Sequence, residues 1–341
     1  FYQGIYFLLG MALVMFTLSR LFSPWILSHL VASPRICEAA VSYINWRVFG
    51  FFFSFVAIMF RAFFVGTTQT KTLTLNSIVM VTSNVVFNYI LVFGKLGFPA
   101  LGIAGAAIGS SLAELVSMLF FIIYTTRKVD CAKYGLNQLV SFRWTELKRI
   151  MGVSLWTMIQ NAVSISTWFL FFIFIEHLGE RSLAITNIVR NVSSIPFMTI
   201  TAFASTCSSL VSNLIGSGEA RYVMPTIRQH VRLCTGIVWP VILLIACLPT
   251  YVLRIYTDMP DLVEAAVPTL WVLCSSYLFQ CAGFIFFQSV SGTGDTRSAF
   301  LLEIVALTCY LIFIVTVILL LKMDVAVCWF AEHVYAGAIG L

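Results

Sequence analysis

Charge is what this chain has least of. Only 10% of its 341 residues are Asp, Glu, Lys or Arg, 14 of them acidic and 20 basic. A soluble domain carries about 25% charged residues, so this chain has too few to cover a water-facing surface. Metal and redox signatures are missing as well. The nine Cys are scattered through apolar stretches with no CxxC pair, and they read as small core residues. The four His (His29, His177, His230 and His333) make no HExxH or other metal spacing. Neither a Ser/His pair nor paired membrane aspartates are visible, so no enzyme, no metal and no cofactor are expected. The first segment lacks the basic start and small-residue cleavage site of a cleavable signal peptide. Strand-like alternation of polar and apolar residues is lacking too, which excludes a transmembrane β-barrel.

Apolar residues dominate instead, at 60% of the chain. They form ten segments near 1–22, 39–65, 72–94, 101–125, 147–175, 183–215, 226–253, 262–290, 298–321 and 325–341, most of them long enough to cross a hydrocarbon layer about 30 Å thick. The fold class expected is an all-α polytopic membrane protein in the plasma (inner) membrane. The net charge of +6 does not call for nucleic acid. Arg127, Lys128, Lys133, Arg143, Lys148 and Arg149 crowd one loop, as in a cytoplasmic loop of a membrane protein. Arg61, Lys71, Arg221, Arg228, Arg232 and Arg297 fall on the same side by span counting. Together these twelve outnumber the seven opposite, Arg20, Arg35, Arg47, Lys95, Arg181, Arg254 and Lys322, so their side is read as cytoplasmic. The polar stretch 127–146 is taken as a cytoplasmic linker between an N-terminal lobe, 1–126, and a C-terminal lobe, 147–341.

One polar turn is written twice. "VGTTQTK" (65–71) and "SGTGDTR" (291–297) share Gly-Thr-x-x-Thr followed by a basic residue. The copies lie six spans apart, on the same side, which fits two six-helix halves related by an axis along the membrane normal. Gly66 and Gly292 are expected to take the positive φ that ends a helix, with a Thr capping the next one.

The stretches "SNVVFNYILVFGKLGFPALGIAGAAIGSSLAE" (83–114), "GTGDTR" (292–297) and "LIGSGEA" (214–220) resemble the multidrug and toxic compound extrusion family of antiporters. The resemblance runs from that family's third helix into its twelfth. It implies a two-lobe bundle of twelve helices with about ten present here, the first two and the end of the twelfth lying outside the sequence. It also implies export of organic cations or other amphipathic toxins in exchange for Na+ or H+, the coupling ion being the only cofactor-like species. Partners are then a small organic substrate and membrane lipid, around a monomer. Relatives that flip lipid-linked oligosaccharides give an alternative, and a non-transporting membrane subunit gives one of a different class. Few Arg inside the spans favours drug export over the flippase.

Polar residues deep in a span are costly and default functional candidates. Asn84 and Asn88 share one helix face and match the resemblance's first-lobe cation site, with Asn88 where a carboxylate is usual. Interhelical hydrogen bonding is the plain alternative for this pair. Gln160 and Gln280 stand where one branch of the family has Glu and Asp. Among the residues themselves, Glu114, Glu303 and Arg190, the last three positions after Asn187, are charges inside spans. Glu303 is the candidate for ion coupling, with Arg190 expected as its partner. The Phe-rich runs 49–55, 168–174 and 284–288 are read first as lipid-facing or helix-contact surface, and second as cavity lining.

Overall fold

The computed structural model describes residues 1–30, 34–138 and 140–340. The Arg35 side chain and Leu341, which entered the expectations above, lie outside the described residues. The described residues form thirteen α-helices and no strand. Among the described residues, eight helices are long and apolar enough to cross a membrane. A ninth span is formed if α2 (Pro34–Arg47) and α3 (Gly50–Gly66), bent by 50° at their junction, are taken together. The tenth expected segment, Val325–Gly340, is a shorter apolar piece split into α12 (Val325–Cys328) and α13 (Ala331–Gly340). The all-helical, multi-pass architecture therefore holds, with eight or nine full spans and one short one.

The helices divide into two compact units, Phe1–Arg149 and Ile150–Leu341. In the first, α1 (Tyr2–Leu30) and the α2–α3 pair pack with α4 (Thr70–Phe93) and α5 (Gly102–Lys128). Lipid tails are as apolar as Leu, so helices inside a membrane associate through close packing and polar contacts rather than through hydrophobic exclusion. The sequence of α5 is built for that. Its buried face is Gly105, Ala107, Gly109, Ser111, Ala113 and Ser117. A side chain at Gly105 would run into the Leu91 backbone, and one at Gly109 into Asn88. The tight link before α5 is closed by Gly94 at φ +66° and by a bond from the Leu101 amide to the Leu91 carbonyl, 2.9 Å. One turn beyond Ser117, Phe121, also buried, stacks against Phe60 and Phe64 of α3.

The polar stretch after α5 is pinned to the start of α1. Tyr2 and Tyr6 donate to the carbonyls of Leu136 and Val140, at 2.6 and 3.1 Å. The Gln3 amide behaves like a short strand partner, donating to the Ser141 carbonyl (2.8 Å) and accepting from the Arg143 amide (2.9 Å).

In the second unit α10 (Pro260–Gly292) is central and the most buried span. It packs against α7 (Glu180–Gly216), α8 (Val223–Cys247) and α13, with the short α9 (Pro249–Leu253) at one end. Next to it, α11 (Thr296–Ile314) contacts α13 and continues as a wider π-turn through Val315–Leu320. Against α11 lies α6 (Trp144–Glu176), joined by the Thr296 hydroxyl on the Val153 carbonyl and by Trp156 on Phe300.

The repeated turn has the same geometry in both copies, but the expected glycine role is displaced. Gly66 and Gly292 are ordinary last helical residues, and positive φ falls two positions later, at Thr68 (+60°) and Gly294 (+91°). Helix-capping positions are Gln69 and Asp295, so Thr70 and Thr296 begin the next helices rather than cap them. Gly292 is needed for another reason: a Cβ there would sit 2.9 Å from the Ser208 Cα of α7. A third copy exists. At 216–221, "GSGEAR", Gly218 takes φ +80° and Glu219 occupies the cap position. Its three backbone bonds, Ser217 to Asn213, Gly218 to Ile215 and Glu219 to Leu214, repeat those of Thr67 to Phe63, Thr68 to Val65 and Gln69 to Phe64. The turn thus recurs two helices apart as well as six.

Candidate functional site

In the first unit the amides of Asn84 and Asn88 meet α5. Asn88 Nδ2 donates to Asn84 Oδ1 (3.0 Å), and Asn84 Nδ2 donates to Ser110 Oγ (3.2 Å). Their positions one turn apart on α4 place both on the face that α5 covers. Asn88 Oδ1 is buried without a protein partner. The pair therefore ties two helices together and leaves one amide oxygen free to coordinate a cation. A second polar tie in the same helix pair went unnoticed in the sequence: Asn76 and Ser117, both fully buried, bond each other at 2.9 and 3.1 Å. Glu114 is held by Arg47, which donates both guanidinium nitrogens to its two oxygens at 2.6 and 2.9 Å. Gly50, at the start of α3, leaves no room for a side chain beside this pair.

The second unit gathers more polar side chains, around α10, α11, α6 and α13. Glu303, 2% exposed, lies on the inner face of α11. Its partners are Ser164 Oγ of α6 and Tyr335 Oη of α13, the latter 3.0 and 3.1 Å from its two oxygens. Three residues before Tyr335 on the same helix, Glu332 accepts from Gln280 Nε2 at 3.0 Å. Gln280, 2% exposed, also reaches Ser276 Oγ at 3.3 Å. Gln160 is 6% exposed, one turn before Ser164 on α6, and its Oε1 has no protein partner. Tyr310 Oη, on α11 two turns after Glu303, is likewise buried without a partner. His333 Nε2 and Ser275 Oγ of α10 are 2.9 Å apart.

Of the residues singled out in the sequence, Glu303 and Gln280 sit in this network and Gln160 borders it. The expected pairing of Arg190 with Glu303 is not formed. Arg190 lies over the rings of Trp168 and Phe172 at 5.8 and 5.3 Å, where an aromatic face stabilises its cation. Asn187, half-buried one turn before it on α7, takes no part in the bonds of Glu303 or Glu332. Glu332 and Tyr335 were missed. Their signal was present, an acid inside an otherwise apolar segment with a tyrosine three positions on, but it lies in the last and shortest segment. The Phe-rich runs divide by residue: Phe171 and Phe287 are buried, Phe169 and Phe286 exposed.

Among known proteins, a family model described as MatE matches residues 1–90 and 157–319. The probable multidrug resistance protein NorM of Thermotoga maritima is 26% identical over 257 residues, which is 75% of this chain and 54% of that protein. The probable multidrug resistance protein NorM of Photorhabdus laumondii is 23% identical over 283 residues, 81% of this chain and 61% of its own. The chain thus spans a little over half the length of these relatives. Among solved structures, a MOP superfamily transporter from Pyrococcus furiosus superposes with a TM-score of 0.85 at 15% identity, covering 99% of this chain and 76% of that one. A MATE structure in complex with MaL6 gives 0.84 at 16%, with the same coverage. At such identities the structures speak to the fold alone.

Proposed function

The chain belongs to the MatE family, and from that membership we propose that the protein is a secondary active antiporter of the plasma (inner) membrane. It exports organic cations or other amphipathic compounds in exchange for Na+ or H+ and works as a monomer among membrane lipids. The relatives' names, multidrug resistance proteins, support the substrate class. The observation that carries the reading is the set of buried polar side chains inside membrane-length helices, Glu303 with Ser164 and Tyr335 above all. A carboxyl group held in hydrocarbon costs several kcal/mol unless it serves a partner, a proton or an ion. Antiport needs that kind of group, because coupling requires ion and exported molecule to favour different states of one protein. In the first unit Asn84 and Asn88 offer a neutral cation site. In the second, Glu303 is the coupling group, Gln160 and Gln280 are neighbouring ligands, and Asn187 and Arg190 line polar positions on α7.

The test uses the complete protein in liposomes loaded with a fluorescent organic cation. Efflux driven by a Na+ or an H+ gradient, lowered at least tenfold by Glu303→Gln, is the expected result. No gradient-driven movement under either ion would overturn the reading.

A further inference from the structure

Three carboxylates inside the spans find very different company. Glu114 has a guanidinium on both oxygens. Glu303 and Glu332 have only neutral partners: hydroxyls from Ser164 and Tyr335 for the first, the Gln280 amide for the second. Two ionised carboxylates so placed put two uncompensated negative charges into a helix bundle in hydrocarbon, each costing several kcal/mol.

Proton counting around Ser164 favours a protonated form of the first. Its Oγ is 2.9 Å from the backbone carbonyl of Gln160, four residues earlier, and also in hydrogen-bond contact with Glu303 Oε1. Both are acceptors when the carboxyl is ionised, and a serine hydroxyl has one hydrogen. A proton on the carboxyl gives both contacts a full hydrogen bond: Glu303 O–H donates to Ser164 Oγ, and Ser164 O–H donates to the Gln160 carbonyl, whereas an ionised carboxylate leaves one serine hydrogen to two acceptors. Tyr335 Oη then donates to the carboxyl's other oxygen. Independently, two side chains more than nine-tenths buried on the same two helices, α6 and α11, leave oxygens unpartnered. Gln160 Oε1 lies one turn from Ser164, and Tyr310 Oη belongs to a ring 6.2 Å from that of Tyr335.

We propose that Glu303 holds a proton in this state, and that Glu303, Tyr335 and Glu332 form the site at which the second unit takes up and releases H+. The proposal rests on the antiport reading for its purpose, not for its chemistry. On release the O–H bond of Glu303 breaks, the electron pair stays on the carboxylate, and the proton leaves to water. Ser164 then turns its hydrogen from the Gln160 carbonyl to the carboxylate, and Tyr335 keeps donating. When Glu303 is ionised, Ser164 and Tyr335 are hydroxyl donors placed to stabilise the carboxylate that proton release leaves behind. Other titratable groups around the site are Glu332, His333 and Tyr335 on α13, Tyr310 on α11 and Tyr277 on α10, whose hydroxyl is spent on the Ser193 carbonyl. Arg190 on α7 is held by its two rings.

Infrared spectra of the complete protein in lipid nanodiscs test this without any transport. The carbonyl stretch of a protonated carboxyl is expected at neutral pH, with a component bleached on raising the pH and lost in Glu303→Gln, any remaining component belonging to Glu332. Tyr335→Phe, a smaller change that keeps the packing, is expected to retain the band and alter the proton concentration of half-bleaching about tenfold, the worth of one hydrogen bond to a charged group. No such band at neutral pH in the wild type, or a band unchanged in a folded Glu303→Gln, overturns the proposal. A band abolished by Na+ at constant pH makes this a sodium site and overturns it too. A Glu303 band in a protein that moves no cation would keep the proton site and sink the antiport reading; antiport without the band would do the reverse.

Discussion

Thr68 holds φ +60°, a conformation that strains a β-branched residue. The matching positions of the other two turns are Gly218 and Gly294. Thr68→Gly is therefore expected to stabilise the protein by about 1 kcal/mol, seen as a raised unfolding midpoint in detergent. Gly292→Ala should do the opposite, by about 1–3 kcal/mol, because its Cβ meets the Ser208 backbone. Gly66→Ala is the control, since that position opens on free space. At Asp295 the capping carboxylate accepts from the Ser298 side chain (2.6 Å) and amide (3.0 Å), which together hold its pKa below the usual Asp value. The group's folded pKa is lowered, so its contribution is present above the ordinary value of about 3.9 and is lost as pH falls through the lower folded value. Asp295→Ala should accordingly reduce the stability difference between neutral and strongly acidic pH, measured by thermal unfolding at each.

Single elements are held by pairs rather than by greasy surface alone. The break between α2 and α3 is fastened to α5 by Arg47 and Glu114, 30% and 17% exposed. Removing one partner leaves the other charge uncompensated. Arg47→Met and Glu114→Gln should each cost more stability than the double variant implies, with a coupling of about 1–3 kcal/mol in a double-mutant cycle. Additive effects would show that the pair does not hold the bend. The Asn76–Ser117 tie between α4 and α5 is of the sort worth about 0.6 kcal/mol in a membrane, so Asn76→Leu should lower the unfolding midpoint only slightly. The block 83–114 was readable as a motif in the sequence. Its purpose was not, because small residues along α5 acquire meaning only from the α4 backbone they touch.

At the scale of the whole molecule, the three turns at 66–71, 216–221 and 292–297 each follow an even-numbered span and carry a basic residue at the same place, Lys71, Arg221 and Arg297. Span order predicts that they share one side of the membrane, and the basic residues predict that it is the cytoplasmic one. Single cysteines at Lys71, Ser217 and Thr293, introduced after removing the native ones, should react with an impermeant maleimide only from the cytoplasmic face. Cysteines at Lys95 and Lys322 should react only from the other. Labelling of Ser217→Cys and Lys71→Cys from opposite faces would refute the span order.

Composition and apolar run length determined, by themselves, that the chain is a helical multi-pass membrane protein: with so little charge, only closed backbone hydrogen bonding in helices is stable in hydrocarbon. Local spelling also located the turns, since Gly, Ser and Thr at helix ends act over a few residues. Glu303 announced itself too, as a charge inside an apolar run. Tertiary structure alone decided its partners. Ser164 is 139 residues before it and Tyr335 is 32 after it, and Arg190, the expected counterion, went to two aromatic rings instead. Hydrogen bonds and ion pairs in a span are chosen across helices, where sequence distance carries no information about which faces meet.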